Sequence, residues 1–379
     1  MTRVAVEAGA LNLAQGFPDF PAPEILKEAA CEAIRADVNQ YAVTWGTPRL
    51  RRALASKYAT SYGLEVDEAR EVTVTCGATE AMAAALLAVI NPGDEVIIFE
   101  PFYENYGPDA ILCDAKPVWV PLEAGGPLDI ERVAAAVSPR TRAIVINTPN
   151  NPTGRVFTRA ELQQLAELCR RHDLLAVTDE IYEHILYDAK HLPLATFEGM
   201  RERTITISGF SKTFSVTGWR VGTIIAPPAI TLAIRKVHDF LTVGAPAPLQ
   251  EACAAGLERL GADYYEGLAR DYRERRDVLV NALQDAGFRC SSPAGAYYVL
   301  ADFSALSDKD DTTYSKWLAR GGSESGLDGH GPGVAPVPGS SFFHEPSRGR
   351  TLVRFAFCKR LETLQRAADR LRRIGRDSG

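Results

Sequence analysis

The chain has 379 residues, 46% of them hydrophobic, which is more than one core usually holds and predicts two domains. Its 42 basic and 48 acidic side chains leave a formal net charge of -6 with no long charge run, which argues against nucleic acid or an anionic membrane as a partner. The N-terminus lacks a signal-peptide core and no apolar run is long enough to span a bilayer, so a cytoplasmic protein is expected. The seven cysteines are scattered and never spaced as CxxC, and the six histidines show no HxH or HExxH spacing, so neither a disulfide framework nor a metal site is expected.

The chain opens with an arm and a short strand, Leu11-Asn12-Leu13, then turns through Gly16-Phe17-Pro18-Asp19-Phe20-Pro21. Proline and glycine stop regular structure there, while the two phenylalanines demand burial, either as a clamp onto the body or over a site. A helix over 25–36 precedes Asn39-Gln40-Tyr41, where Tyr41 by itself reads as a loop residue, and Gly46-Thr47-Pro48 opens another helix. From Glu71 onward strands and helices alternate. Val72-Thr73-Val74-Thr75 runs through Cys76-Gly77-Ala78-Thr79 into an apolar helix. Such a small-residue turn exposes free N–H groups at the positive end of the helix dipole, which makes Gly77, Ala78 and Thr79 candidates for a phosphate cradle. The strand over 95–99 ends at Glu100-Pro101-Phe102-Tyr103, and an aromatic there is either core or a platform for a planar ring.

Strands are expected at 116–121 and 143–147, the second spilling into Asn147-Thr148-Pro149-Asn150-Asn151-Pro152-Thr153-Gly154. Prolines on either side of two amides stiffen that turn and would fix Asn151 as a hydrogen-bond donor. After a helix through Glu161, Leu165 and Cys169, the strand over 174–178 ends at Asp179, an acid whose burial is costly unless a cation pairs with it. Tyr182 follows three residues on. The strand over 204–207 leads into Ser208-Gly209-Phe210-Ser211-Lys212-Thr213-Phe214, with Arg220 eight residues beyond the lysine. A second cation lowers the pKa of a lysine and helps it act as an amine nucleophile, and Arg220 with the hydroxyls of this stretch suits a phosphate.

A strand at 221–226 brings the count to seven, and their alternation with helices predicts a mostly parallel, doubly wound sheet that binds ligands at its strand ends. No GxGxxG follows the first strand, so a nicotinamide-binding reading loses its main support. A helical stretch from 229 to 286, broken near Gly244-Ala245-Pro246, leads to a smaller unit. Its strands are expected at 288–290, 296–300 and 351–357, with a closing helix over 361–374. In the last strand Arg354 sits among apolar neighbours, as a buried ion-pair partner or as a fork for a substrate carboxylate. The glycine-rich segment 321–333 reads as a loop.

Eight blocks carry a family resemblance in order and spacing: QGFPDF at 15–20, NQY at 39–41, GATEA at 77–81, EPFY at 100–103, NTPNNPTG at 147–154, TDEIY at 178–182, SKTFSVTGWRVG at 211–222 and VRFAF at 353–357. Together they resemble the class I pyridoxal-phosphate aminotransferases of fold type I, most nearly the branch of kynurenine aminotransferase, glutamine transaminase K and methionine aminotransferase. The resemblance implies an α/β fold with a large domain at 37–280 holding the seven-stranded sheet, a smaller α+β domain at 281–379, and residues 1–36 as an arm and part of the small domain. It implies Lys212 as the covalent carrier of pyridoxal 5'-phosphate, Asp179 beside the pyridinium nitrogen, Tyr103 flat on the ring, and Asn151 and Tyr182 at the ring oxygen. Gly77, Ala78, Thr79, Ser211 and Arg220 would surround the phosphate, with Tyr41 reaching in from the second subunit of a homodimer. Arg354 would clamp the substrate α-carboxylate, and Gly16 and Phe17 would lie over the substrate beside Asn151. Gly209 departs from many relatives, which carry a hydroxyl there, so whether Ser208, Ser211 or neither meets the phosphate stays open. The segment 321–333 lengthens a connection that relatives make briefly.

The expected reaction is a transamination in two halves between an L-amino acid and a 2-oxo acid, with Lys212 as proton carrier. Phe17, Phe20, Tyr41, Trp45 and Tyr103 would favour a neutral, aromatic or thioether side chain. The alternative on the same fold is a cysteine-conjugate β-lyase or an enzyme that oxidises an amino acid in a biosynthetic pathway. A non-catalytic sensor would have no reason to keep Lys212, Asp179 and Arg354 together.

Overall fold

A computed structural model describes residues 1–123, 125–323 and 331–377, without the side chains of 374–377. Residues 324–330 of the glycine-rich segment therefore lie outside the described residues. In chain order the strands are β1 (Leu11–Asn12), β2 (Val72–Thr75), β3 (Glu95–Glu100), β4 (Lys116–Pro121), β5 (Thr141–Asn147), β6 (Leu175–Asp179), β7 (Thr204–Gly209), β8 (Gly222–Ile225), β9 (Tyr298–Asp302), β10 (Val334–Ala335), β11 (Val337–Pro338) and β12 (Leu352–Ala356).

Seven of them form one sheet in the order β2-β8-β7-β6-β5-β3-β4, parallel except for β8, which runs antiparallel to both its neighbours. The strands read as continuous apolar runs because helices cover both faces. Val96 and Ile98 of β3 point into a cluster with Met82, Leu86 and Ile234, while Ile97 and Phe99 point the other way, towards Leu162 and Leu165. That alternation is the two-residue period of a strand.

Three short strands, in the order β11-β12-β9, make a second, antiparallel sheet, in which Arg354 lies between Val337 and Leu300. The helices Ala262–Asp285 and Leu361–Asp377 share its core through Leu279, Leu283, Leu364 and Leu371. The arm is pinned to the same unit, since β1 pairs in parallel with β10. It also holds a short helix, Thr2–Glu7, that the sequence pattern does not announce.

The expected helical stretch 229–286 is three helices, Pro228–Leu241, Ala247–Arg259 and Ala262–Asp285, because Gly261 interrupts it a second time. Residues 288–290 form no strand; Arg289 makes only an isolated bridge to Asp302. Among the described residues no helix is long and apolar enough to cross a membrane.

Candidate active site

The site is built on neighbouring strand ends. Asn147 ends β5, and its register partner Asp179 ends β6. Gly209 ends β7 directly before the short helix Phe210–Thr213 that carries Lys212. Asn147 stitches two of these ends together: its Nδ2 donates to the Asp179 carbonyl at 2.9 Å, and its Oδ1 accepts from the Asn151 N–H at 2.8 Å. The stiff turn that presents Asn151 is thus fixed to the strand that presents Asp179.

Asp179 is buried, and Oδ2 accepts the Tyr106 hydroxyl at 2.7 Å while Oδ1 accepts the Ile181 N–H at 3.3 Å. Burial raises its pKa, and these hydrogen bonds together with Lys212 oppose the shift. The half-buried Lys212 reaches into the same cavity, with Nζ 3.3 Å from the Gly16 carbonyl and 5.9 and 5.7 Å from the ring centroids of Tyr182 and Tyr297. Desolvation pushes the ammonium down to about 8, helped by Arg220 and Arg354 and resisted by Cys358 and Asp179.

At one end of the cavity the helix Gly77–Val89 begins with no side-chain cap, its first turn open to the cavity at Ala78 and Thr79. Gly77 has φ +85°, and a Cβ there would stand 2.3 Å from Arg220 Nη2. Gly222, at the start of β8, lies so close that a Cβ on it would stand 2.4 Å from the Gly77 carbonyl carbon. Two glycines therefore let strand, helix end and guanidinium converge. Arg220 itself is left-handed at φ +54°, a conformation that costs a non-glycine residue roughly 1–2 kcal/mol. Among the described residues no carboxylate pairs with it; Nη1 donates to the Thr217 carbonyl at 3.1 Å. Ser211 lines the cavity, whereas the Ser208 hydroxyl donates to Glu183 at 2.6 Å beneath the sheet and is already used. Gly209 is tightly packed, since a Cβ would meet the Val221 carbonyl oxygen at 3.0 Å and Gly222 Cα at 3.1 Å.

At the other end Arg354 is buried without a carboxylate partner among the described residues, so it is not half of an internal ion pair. Nη1 donates to Asn151 Oδ1 and Nη2 to the Ala14 carbonyl, both at 2.9 Å, while Nε has no partner. The guanidinium lies 4.3 Å from the Tyr298 ring and 4.8 Å from Phe342. The Asn151 carbonyl is thereby occupied and its Nδ2 remains to donate. Tyr182 donates its hydroxyl to Tyr298 at 3.2 Å. The turn at Gly16 and Phe17 closes over Lys212, held by Tyr297, which donates to the Gly16 carbonyl at 2.7 Å, and by Lys359, which donates to that of Phe17 at 2.7 Å.

One cavity of about 790 Å³ thus collects Lys212, Asp179, Tyr182, Asn151, Tyr103, Ala78, Thr79, Ser211, Arg220, Arg354, Gly16 and Phe17, with Gly77 directly behind Arg220. Tyr41 is not among its walls; it is 89% exposed on the outer surface. Phe20 and Trp45, expected near the substrate, are elsewhere. Phe20 packs edge-on against Tyr272 in the core of the small sheet, and Trp45 stacks under Arg235. Sequence reasoning missed Tyr106, Asn147, Tyr297, Tyr298 and Lys359. Nothing local marks these positions, because each acts through a partner brought near only by the sheet register or by the crossing of the arm.

The aminotransferase class I and II family model matches residues 8–371. The chain is 41% identical over 384 residues to a probable N-succinyldiaminopimelate aminotransferase of Mycobacterium tuberculosis, covering 98% of this chain and 94% of that one. It is 38% identical to the methionine aminotransferase of Escherichia coli, covering 99% and 94%, and 35% identical to human kynurenine–oxoglutarate transaminase 1, covering 98% and 94%. The solved structure of N-succinyldiaminopimelate aminotransferase from Mycobacterium tuberculosis superposes with a TM-score of 0.93 at 40% identity over 99% of this chain and 96% of that one. With strand ends, lysine, buried acid and unpaired arginine in the arrangement described, and relatives alike over nearly the whole length, the chain belongs to the class I and II aminotransferases.

Proposed function

We propose that the cavity binds pyridoxal 5'-phosphate and transfers the amino group of an L-amino acid with a neutral, aromatic or sulfur-containing side chain. The observation that carries this reading is Arg354, a buried guanidinium with a free Nε and, among the described residues, no carboxylate partner, facing the cavity that also holds Lys212 and Asp179. A substrate α-carboxylate supplies the missing anion and a planar, two-oxygen match for the guanidinium fork.

The residues fit the cofactor at each end. The first turn of Gly77–Val89, Ser211 and Arg220 would hold the phosphate, and Asp179, a buried acid short of a cation, would hold the protonated ring nitrogen. Tyr103 would flank the ring, and Asn151 Nδ2 with Tyr182 would meet its oxygen. When bound, the cofactor supplies an electron sink for charge developing at the substrate α-carbon. The chain does the rest. Arg354 and Asn151 orient the substrate, and the Gly16–Phe17 turn excludes water above Lys212. With its pKa near 8, the lysine holds a useful fraction of free amine near neutral pH and can take and return the α-proton. Tyr106 and the Ile181 N–H keep the Asp179 carboxylate in place beneath the ring.

A second reading of the substrate has its own observation. Arg3 and Lys316 are exposed at the mouth of the cavity, against the single exposed carboxylate of Glu104. Among the described residues Arg3 pairs with Glu7 alone, solvent-exposed at 3.7 Å. These two cations suit a donor whose long side chain ends in a carboxylate, as in the compound named for the Mycobacterium tuberculosis relative.

The test is the absorbance of the protein loaded with pyridoxal 5'-phosphate, followed as each donor is added without an acceptor. Phenylalanine, methionine, glutamine or 2-aminopimelate should bleach the visible band, and aspartate should be slower. Arg354→Gln should keep the band and raise the donor concentration needed by about two orders of magnitude, the worth of a lost bidentate charged pair. No band with added cofactor, or a donor response untouched in Arg354→Gln, would sink the reading. A preference of 2-aminopimelate over the neutral donors that disappears in Lys316→Gln would establish the second substrate class.

A further inference from the structure

Behind the phosphate end of the cavity lies an imidazole that the chemistry above does not use. His238, on the helix Pro228–Leu241, is fully buried. Its Nε2 stands 2.8 Å from the Thr44 carbonyl oxygen, and its Nδ1 stands 2.9 Å from Glu80 Oε1. A carbonyl can only accept, and an ionised carboxylate can only accept. Both contacts are satisfied at once only by a ring protonated on both nitrogens.

The second oxygen of Glu80 is equally committed: Oε2 accepts the backbone N–H of Cys76 at 2.9 Å, immediately before Gly77. The chain of contacts therefore runs from the Thr44 backbone through His238 and Glu80 to the residue that caps the helix Gly77–Val89. A further strut closes the ring, as the Cys76 thiol donates to the Gly244 carbonyl at 3.4 Å while Gly244 packs against Thr44, where a Cβ would stand 3.1 Å from the Thr44 oxygen. Among the described residues, Glu80 and, on its own helix, Asp239 are the charged groups that act on His238, while the Cys76 thiol lies beyond Glu80 and Thr242; Thr242 Oγ1 lies 3.3 Å from Nδ1. Arg235, one turn back, is turned away and donates to the Val72 carbonyl at 2.6 Å. Burial alone would lower the histidine pKa, but the Glu80 hydrogen bond and charge, the Thr44 carbonyl and Asp239 outweigh it and hold it above the ordinary value.

We propose that His238 is a positioning residue for the phosphate end of the cavity, an imidazolium that ties the start of the Gly77–Val89 helix to the Thr44 backbone and releases one of the two when it loses a proton. The inference rests on reading Gly77, Ala78 and Thr79 as the phosphate cradle. Because the charged ring is the form that the folded state holds, the tie is complete at low pH and is lost as pH rises through the raised pKa.

Two measurements test it. In the unsubstituted protein at pH 7, nitrogen NMR should show His238 with both ring nitrogens protonated; a ring carrying one proton overturns the proposal. The dissociation constant of pyridoxamine 5'-phosphate, which makes no bond to Lys212, is then followed from pH 6 to 10 in the unsubstituted chain and in His238→Gln. The unsubstituted chain should lose about tenfold in affinity as His238 deprotonates, the worth of one hydrogen bond to a charged group. His238→Gln should be weaker at low pH and lack that step, and Glu80→Gln serves equally if His238→Gln does not fold. Identical pH profiles overturn this inference alone. Failure of the unsubstituted chain to bind at any pH overturns the cofactor reading, and this inference with it.

Discussion

Lys212 carries a charge in a place that does not favour it. Its pKa is held down at about 8 against 10.5 for an ordinary lysine, so between those values the unfolded chain binds more protons than the folded one and stability rises with pH. Below pH 8 both states are charged, and the folded state bears the whole desolvation penalty. In the cofactor-free protein Lys212→Met should therefore melt several degrees higher at pH 7. The advantage should shrink between pH 8 and 10.5 and vanish above it. An advantage independent of pH would show that packing, not the buried charge, is responsible. Tyr106 makes the complementary point at Asp179. Tyr106→Phe removes the donor to Oδ2 and leaves a buried carboxylate oxygen unpaired, a loss on the order of 1–3 kcal/mol. Affinity for pyridoxal 5'-phosphate and kcat should each fall about tenfold while the fold survives. An unchanged affinity would mean that the hydroxyl does not hold the acid in place.

The alternation of apolar strands and helices makes the elements of the large sheet readable directly from the sequence, and β2 and β4 fall within the expected limits to the residue. Asp179 at the end of β6, and Asn151 and Lys212 just beyond β5 and β7, are readable for the same reason, since a polar residue closing an apolar run has few structural uses. What the pattern cannot carry is register. That Asn147 lies opposite Asp179, and that Gly209 lies opposite Gly222, follows from strand pairing between segments up to 32 residues apart, so the stitch through Asn147 is invisible beforehand. The same pairing brings β8 close to Gly209, so that a Cβ there would meet the Val221 carbonyl oxygen at 3.0 Å. Gly222 is the sharper case. A methyl group there would press on the Gly77 backbone, which cannot rotate away as a side chain could, and overpacking of this kind costs roughly 1–3 kcal/mol. Gly222→Ala should pull β8 from the helix start and weaken cofactor binding at least tenfold, with far-ultraviolet circular dichroism unchanged. Full cofactor affinity in that variant would show that the cradle tolerates the displacement.

At the scale of the molecule, the cavity and the exposed apolar surface are parts of one problem. Tyr41 is 89% exposed and Phe240 95%, and Val43, Leu241 and Val243 are exposed with them. They fall on two segments, 41–43 and 240–243, that the His238–Thr44 contact and the approach of Gly244 to Thr44 bring near each other. Scattered apolar residues need no explanation, but for aromatic side chains this open we propose a partner that covers them. A second copy of the chain is the occupant that also accounts for Tyr41, which has no access to its own cavity and is proposed to reach the phosphate end of its partner's. Cavity and face are thus linked through a single structural tie, since the residues that brace the helix start also brace the segment carrying Tyr41. Phe240→Asp places a charge on that exposed surface, where it would be desolvated on association, and should convert a dimer to monomers in sedimentation. If the neighbour completes the site, the monomer should also lose cofactor affinity and transamination, although Lys212, Asp179 and Arg354 are untouched. A monomeric variant with full activity would show that each chain works alone, and Tyr41 would then be a surface residue with no part in the chemistry.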